Sequence, residues 1–181
     1  RVVDTAIALS GKNDFCSSDP AWGGLSVNNA LSAVQWYDGP TAITGATGFI
    51  YRPLTTGNYW AQIQQSGCTD STATVIFNIH PLPVVSFTSI SDSGCLTQHS
   101  FLFSNGSTIS DGSTLSYLWK LGDGSTQTIT DAVKTYATAG NYPVKLITTS
   151  AAGCSDSSAV LTVHVLPNGN ANFKWDSICT N

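Results

Sequence analysis

The side chains able to do acid–base, nucleophilic or metal chemistry are few in this chain and widely spread. All 11 acidic residues are Asp; Glu and Met are absent. Most of the Asp stand beside Gly, Ser or Thr, where a short carboxylate caps a turn by accepting a backbone N–H. His80, His99 and His164 are far apart, and no Gly-x-Ser-x-Gly run offers a nucleophile elbow. Without a nucleophile, a base and an orienting group that converge, no catalytic constellation is expected, and the chain reads as non-enzymatic. Asp111-Gly112 and Asp123-Gly124 are the calcium candidates, but the dense run of oxygen ligands of a calcium loop is missing and turn geometry explains both better. No other cofactor is expected. The five cysteines include no Cys-x-x-Cys pair. They fit a disulfide framework better than zinc and point to an oxidising, extracellular setting.

The elements that carry these residues must be strands. Only 10% of residues are charged, against roughly 25% in ordinary globular proteins. Val, Ile, Thr and aromatic residues are plentiful and helix formers scarce, so an all-β chain is expected. Leu115, Tyr117, Trp119 and Leu121 alternate with Ser116, Leu118 and Lys120, the period of a strand with Trp119 turned to a core. Gly122-Asp123-Gly124-Ser125 then turns the chain, and Asn141-Tyr142 opens a further alternating run. The net charge of −4 comes with no basic cluster, which argues against nucleic acid. No apolar run approaches a membrane span and no signal peptide is present, so membrane insertion is not expected. Arg1 is not a natural start, so the chain reads as a piece of a longer protein.

An internal repeat organises the chain. Gln35-Trp36-Tyr37-Asp38-Gly39 returns as Leu118-Trp119-Lys120-Leu121-Gly122, and Thr56-Gly57-Asn58-Tyr59 as Ala139-Gly140-Asn141-Tyr142. Gly67-Cys68-Thr69-Asp70-Ser71 returns as Gly153-Cys154-Ser155-Asp156-Ser157, and His80-Pro81-Leu82-Pro83 as His164-Val165-Leu166-Pro167. The spacing is about 84 residues, one sandwich-sized module. Residues 1–83 are therefore read as the first module and 84–167 as the second. Residues 168–181, where Phe173 to Cys179 echoes Phe87 to Cys95, are read as the start of a third. In the first module, strands are expected at Ala6–Leu9 and Phe49–Arg52, with Val34, Trp36, Tyr59, Ala61, Ile63, Val75, Phe77 and Ile79 facing inward. In the second, Phe101, Phe103, Leu161, Val163 and Val165 do so. Pro81-Leu82-Pro83 is expected to be a short, stiff joint.

Trp119, Gly122-Asp123-Gly124 and Ala139-Gly140-Asn141-Tyr142, in this order, resemble the PKD domain. The chain departs from that family's pattern at Leu121, where an aromatic residue is usual, and at Pro143, where Thr is usual. Proline lacks a ladder donor, so Pro143 should lie at a strand start or a bulge. The resemblance implies immunoglobulin-like β-sandwiches, two in tandem, each with a buried Trp (Trp36, Trp119), in a non-catalytic extracellular module. Tandem modules with Gly-Cys-[Thr/Ser]-Asp-Ser and a Leu-Pro junction further resemble the giant cell-surface proteins of Bacteroidetes, such as gliding-motility adhesins secreted by the type IX route. That likeness implies a structural and adhesive repeat segment at the cell surface. Its partners would be a glycan or other extracellular surface, or neighbouring modules of the same array. The alternative is an accessory substrate-binding module of a secreted polysaccharide- or protein-degrading enzyme.

Each module has one cysteine before its early strands and one in the hairpin before its last strand. The expected bonds are Cys16–Cys68 and Cys95–Cys154, with Cys179 unpaired. The candidate ligand platform is Tyr37 with Trp60. Trp36 and Tyr59 should face the core, so their neighbours Tyr37 and Trp60 should share the outer face of one sheet, where aromatic rings stack on sugars. The alternative is that Trp60 packs under a loop or against a neighbouring module. The positions read as equivalent in the second module are Lys120 and Pro143, so that module should lack the platform.

Overall fold

The computed structural model describes residues 3–19, 23–28 and 33–169. Every regular element among them is a strand. Contacts divide the chain into two compact units, Arg1–Leu82 with Ala152–Cys154, and Pro83–Ala151 with Ser155–Asn181.

The first unit contains β1 (Ile7–Ser10), β2 (Asp14–Cys16), β3 (Gly24–Val27), β4 (Ala33–Asp38), β5 (Thr41–Ala42), β6 (Ile50–Tyr51), β7 (Gly57–Gln65), β8 (Cys68–Ser71) and β9 (Val75–His80). One sheet has the order β1-β3-β6; the other has the order β2-β9-β7-β4-β5, with β8 on β7. All pairings are antiparallel except β2 with β9, which is parallel. Residues of alternate parity on β4 and β7 meet the facing sheet. Val34, Trp36, Tyr59, Ala61 and Ile63 are buried, with Leu25, Val27 and Phe77, in one apolar core. Val75 and Ile79 are only partly buried at its margin. The Trp36 indole satisfies its buried N–H by donating to Gly48 O at 2.8 Å.

The second unit contains β10 (Phe87–Ser89), β11 (Ser93–Cys95), β12 (Phe101–Asn105), β13 (Leu115–Lys120), β14 (Thr126–Gln127), β15 (Ala132–Lys134), β16 (Gly140–Ser150), β17 (Ser155–Ser157) and β18 (Leu161–Leu166). Its sheets have the orders β10-β12-β15 and β11-β18-β16-β13-β14, with β17 on β16. This is the first unit's topology strand for strand, including the parallel pair, here β11 with β18. Phe101, Phe103, Trp119, Leu121, Tyr136, Val144, Leu146, Val163 and Val165 form the core. Trp119 is fully buried and donates to Ile129 O at 3.0 Å. These are immunoglobulin-like β-sandwiches.

The repeated Thr-x-Gly-Asn-Tyr or Ala-Gly-Asn-Tyr motif has a structural cause. Tyr59 Oη donates to Thr55 O and Tyr142 Oη donates to Thr138 O, both at 2.8 Å. The phenol thus ties the start of the long strand to the chain four residues upstream, the corner common to this architecture.

The repeat is not a constant offset. β7 has nine residues and β16 has eleven. Pro143 sits in the first part of β16, as Gly140–Val144 pairs with β18 alone and the ladder to β13 begins only at Lys145. Its missing N–H therefore removes no bond from the β13 ladder. A Cβ on Gly122 would come within 2.7 Å of Pro143 N, so the Gly-Asp-Gly turn packs its bare backbone against this edge.

β2 and β3 are strands that sequence periodicity does not mark, because three or four residues opened by Asp or Gly are too short to alternate visibly. Of the expected third module, only residues 168 and 169 are among those described. Cys179 and the loop residues 20–22 lie outside them.

Candidate functional site

Tyr37 and Trp60 are directly opposite each other in the β4–β7 ladder. Each follows or precedes a buried residue, so both point away from the core; both are half-buried. Their rings are stacked, with centroids 4.2 Å apart and planes 10° from parallel. Trp60 Nε1 donates to Gly39 O at 2.7 Å, which fixes the indole against the turn after β4. The turn is itself held: Gly39 N donates to Asn58 O at 2.8 Å, and Asn58 N donates to Asp38 Oδ1 at 2.9 Å. Gln35 faces Gln62 one step along the same ladder position set. With Gln64 and Thr69 these amides line a shallow depression beside the stack. The arrangement is a stacked pair of rings with the amides of Gln62 and Gln64 to one side, while Gln35 Nε2 donates to Trp36 O at 2.9 Å and to Ile43 O at 2.8 Å. The rings offer an apolar face for stacking.

The second sandwich differs at this place. Lys120 lies opposite Lys145, not Pro143, because of the two extra residues of β16. Two lysines therefore occupy the ladder position at which the first sandwich has its aromatic pair.

The cysteines are bonded otherwise than the module-by-module expectation. Cys16 and Cys154 form a disulfide, with S–S 2.06 Å and Cα–Cα 5.5 Å, while Cys68 and Cys95 are free and exposed. Cys16–Cys68 and Cys95–Cys154 are thus both corrected. Strand direction gives the reason. Cys16 is opposite His80, beyond the point where Phe77 meets Gly57, the first residue of β7. Cys68 follows the other end of β7, opposite Gln65. Nine residues at roughly 3.4 Å each separate these ends by on the order of 25 Å, whereas a disulfide needs Cα atoms within about 7 Å. The same geometry separates Cys95, opposite Leu166, from Cys154, which follows the far end of β16.

Asp123 and Asp111 serve turns. Asp123 Oδ1 accepts from Ser125 N at 3.0 Å and from Ser125 Oγ at 2.5 Å, and its Oδ2 lies 2.5 Å from Lys134 Nζ. Partial burial works to raise the Asp123 pKa, but the hydrogen bonds from Lys134 and Ser125 and the lysine charge outweigh it and hold the carboxyl down to about 2. Asp111 Oδ1 accepts from Ser113 N at 3.0 Å. An ammonium stands where a cation would bind Asp123, and no group of three or more His, Cys or Asp converges among the described residues. Lys134 also lies 5.3 Å over the Tyr136 ring, whose hydroxyl donates to Leu121 O at 2.7 Å. Burial, then the Asp123 charge, raises the Tyr136 pKa.

Each histidine has a local structural partner. His80 Nε2 is 2.9 Å from Asp14 Oδ1, and exposed His164 Nδ1 is 2.8 Å from Asn141 Oδ1. His99 is the one whose role sequence reasoning missed. Its Nε2 accepts the Tyr136 N–H at 2.7 Å, so Nδ1 carries the proton toward Cys95 O and Leu96 O, both at 3.1 Å. It pins two loops of the second sandwich, and no local sequence pattern signals this.

Fold and surface together define a chain of the immunoglobulin-like repeat class. Within it, residues 81–165 match the family model of the PKD domain. The chain is 38% identical over 78 residues to the pre-pro-metalloprotease PrtV of Vibrio cholerae serotype O1, a stretch that covers 41% of this chain and 8% of that protein's length. Among solved structures, the PKD1 domain of the same Vibrio cholerae metalloprotease is 34% identical with a TM-score of 0.40, covering 46% of this chain and 96% of that one. The PKD1 domain of Vibrio anguillarum Epp is 28% identical with a TM-score of 0.39, covering 47% and 96%.

Proposed function

We propose that this chain is a non-enzymatic repeat segment of a large bacterial cell-surface protein of the gliding-adhesin type, which extends the molecule and attaches it to glycan-bearing surfaces through the first sandwich. The observation that carries the attachment is the stacked Tyr37–Trp60 pair. It is pre-ordered by the Trp60–Gly39 hydrogen bond, so a sugar ring can dock on it at little cost in side-chain entropy. The disulfide fits an extracellular location. The histidines are engaged in turns and strand contacts, which supports a chain that performs no reaction itself.

The test is a glycan array probed with the purified chain, followed by titration of the best ligand into Trp60→Ala and Tyr37→Ala variants of unchanged melting temperature. Each variant is expected to lose binding at least tenfold, about 1.4 kcal/mol. Equal binding by both variants sinks the reading.

A second reading is favoured by the likeness to the metalloprotease PrtV. In it the chain is an accessory module that holds substrate near a catalytic domain elsewhere in its parent protein. Binding to denatured or fibrous protein, with none on the glycan array, would select this reading over the first.

A further inference from the structure

Cysteines occur at the same two fold positions in both repeats. Cys16 and Cys95 each end the short strand that runs parallel to the last strand of its repeat. Cys68 and Cys154 each stand at the hairpin that follows the long strand: Cys68 is opposite Gln65, and Cys154 directly precedes Ser155, which is opposite Thr149. The strand lengths keep the two positions of one repeat far apart, as shown above. The bond that exists joins Cys16, of the parallel-strand position in the first repeat, to Cys154, of the hairpin position in the next. Among the described residues one unbonded cysteine of each kind is left, Cys95 of the parallel-strand position and Cys68 of the hairpin position, and both are exposed.

We propose that Cys95 and Cys68 are the two open halves of this same linkage, so that Cys95 of one copy of the chain bonds Cys68 of a second copy, head to tail. Since the joined positions differ, the contact is heterologous: each copy keeps one open half, so the linkage extends head to tail into chains, or into rings where the rotation closes. The proposal is independent of what the Tyr37–Trp60 surface binds.

The chemistry balances with a disulfide oxidant such as oxidised glutathione. The Cys68 thiolate attacks the glutathione disulfide, which gives a mixed disulfide and one reduced glutathione. The Cys95 thiolate of the second copy then attacks the Cys68 sulfur, and its S–S bond to glutathione breaks as the new one forms. Two protein thiols are oxidised, two glutathiones are reduced, and the two thiol protons pass to them.

The experiment uses the chain with Cys179→Ser, so that Cys68 and Cys95 are the thiols left to react. It is equilibrated at high concentration in a mixture of reduced and oxidised glutathione, quenched with an alkylating agent, and read by non-reducing electrophoresis and peptide mass spectrometry. A ladder of dimers, trimers and longer forms is expected, with the Cys68–Cys95 peptide pair several-fold above Cys68–Cys68 and Cys95–Cys95. Adding Cys68→Ser or Cys95→Ser should each abolish the ladder, and a mixture of these two variants should give a heterodimer and nothing longer. Cross-linked pairs in the proportions of random encounter, a Cys68–Cys95 bond within one chain, or no covalent oligomer at all would overturn the proposal.

Discussion

Lys134 Nζ and Asp123 Oδ2 lie 2.5 Å apart, so the carboxylate of the Gly-Asp-Gly turn is tied to the end of β15. The Asp123 pKa of about 2, against an ordinary 3.8, means that the folded chain binds this proton less readily than the unfolded one. The resulting stabilisation is complete above about pH 4 and is lost as pH falls toward about 2. Melting temperatures between these limits should fall less steeply for Asp123→Asn than for the parent chain. Parallel curves would show that the pair contributes nothing. Calcium or a chelator is expected to leave the melting temperature unchanged.

The two glycines of that turn differ in what surrounds them. Gly122 has φ +83° and Pro143 N within 2.7 Å of an added Cβ, while Gly124 has φ +87° and open space. Gly124→Ala should cost only the left-handed backbone penalty, about 1–2 kcal/mol. Gly122→Ala adds a clash with backbone and should cost more than about 3 kcal/mol. Urea unfolding of the two variants separates the effects; equal losses would place Gly122 in free space.

Tyr37 and Trp60 should also stabilise each other in the absence of any ligand. A double-mutant cycle with Tyr37→Ala and Trp60→Ala, read by chemical unfolding, should give a coupling of about 0.5–1.5 kcal/mol. A coupling near zero would mean that the stack does not persist in solution.

Non-reducing peptide mapping should recover the Cys16 peptide joined to the Cys154 peptide. Cys16→Ser and Cys154→Ser should lower stability alike, by about 2–4 kcal/mol, and Cys68→Ser should not. A recovered Cys16–Cys68 peptide would restore the pairing within one module.

Much of the fold was legible along the chain because the signals are local. Alternation marks β4, β7, β12, β13 and β16, and it places Trp36, Trp119, Tyr59 and Phe103 in cores where all four are found. The same parity rule puts Tyr37 and Trp60 on the outer face, and their direct cross-strand pairing follows from β4 and β7 being neighbours. His99 could not be read this way. Its partner Tyr136 is 37 residues away and belongs to no shared motif.

The class of architecture, the tandem repeat and the inward aromatic residues could be read from the sequence, since composition, period and repetition are properties of neighbouring residues. Tertiary structure decided the partner of each cysteine and the replacement of Pro143 by Lys145 opposite Lys120. Both depend on strand direction and strand length summed over a whole sandwich. β2 runs parallel to β9 while β7 runs back against it, so cysteines that look paired in sequence stand at opposite ends of the sheet. Two added residues in β16 shift the ladder without disturbing the alternation that a reader of the sequence sees.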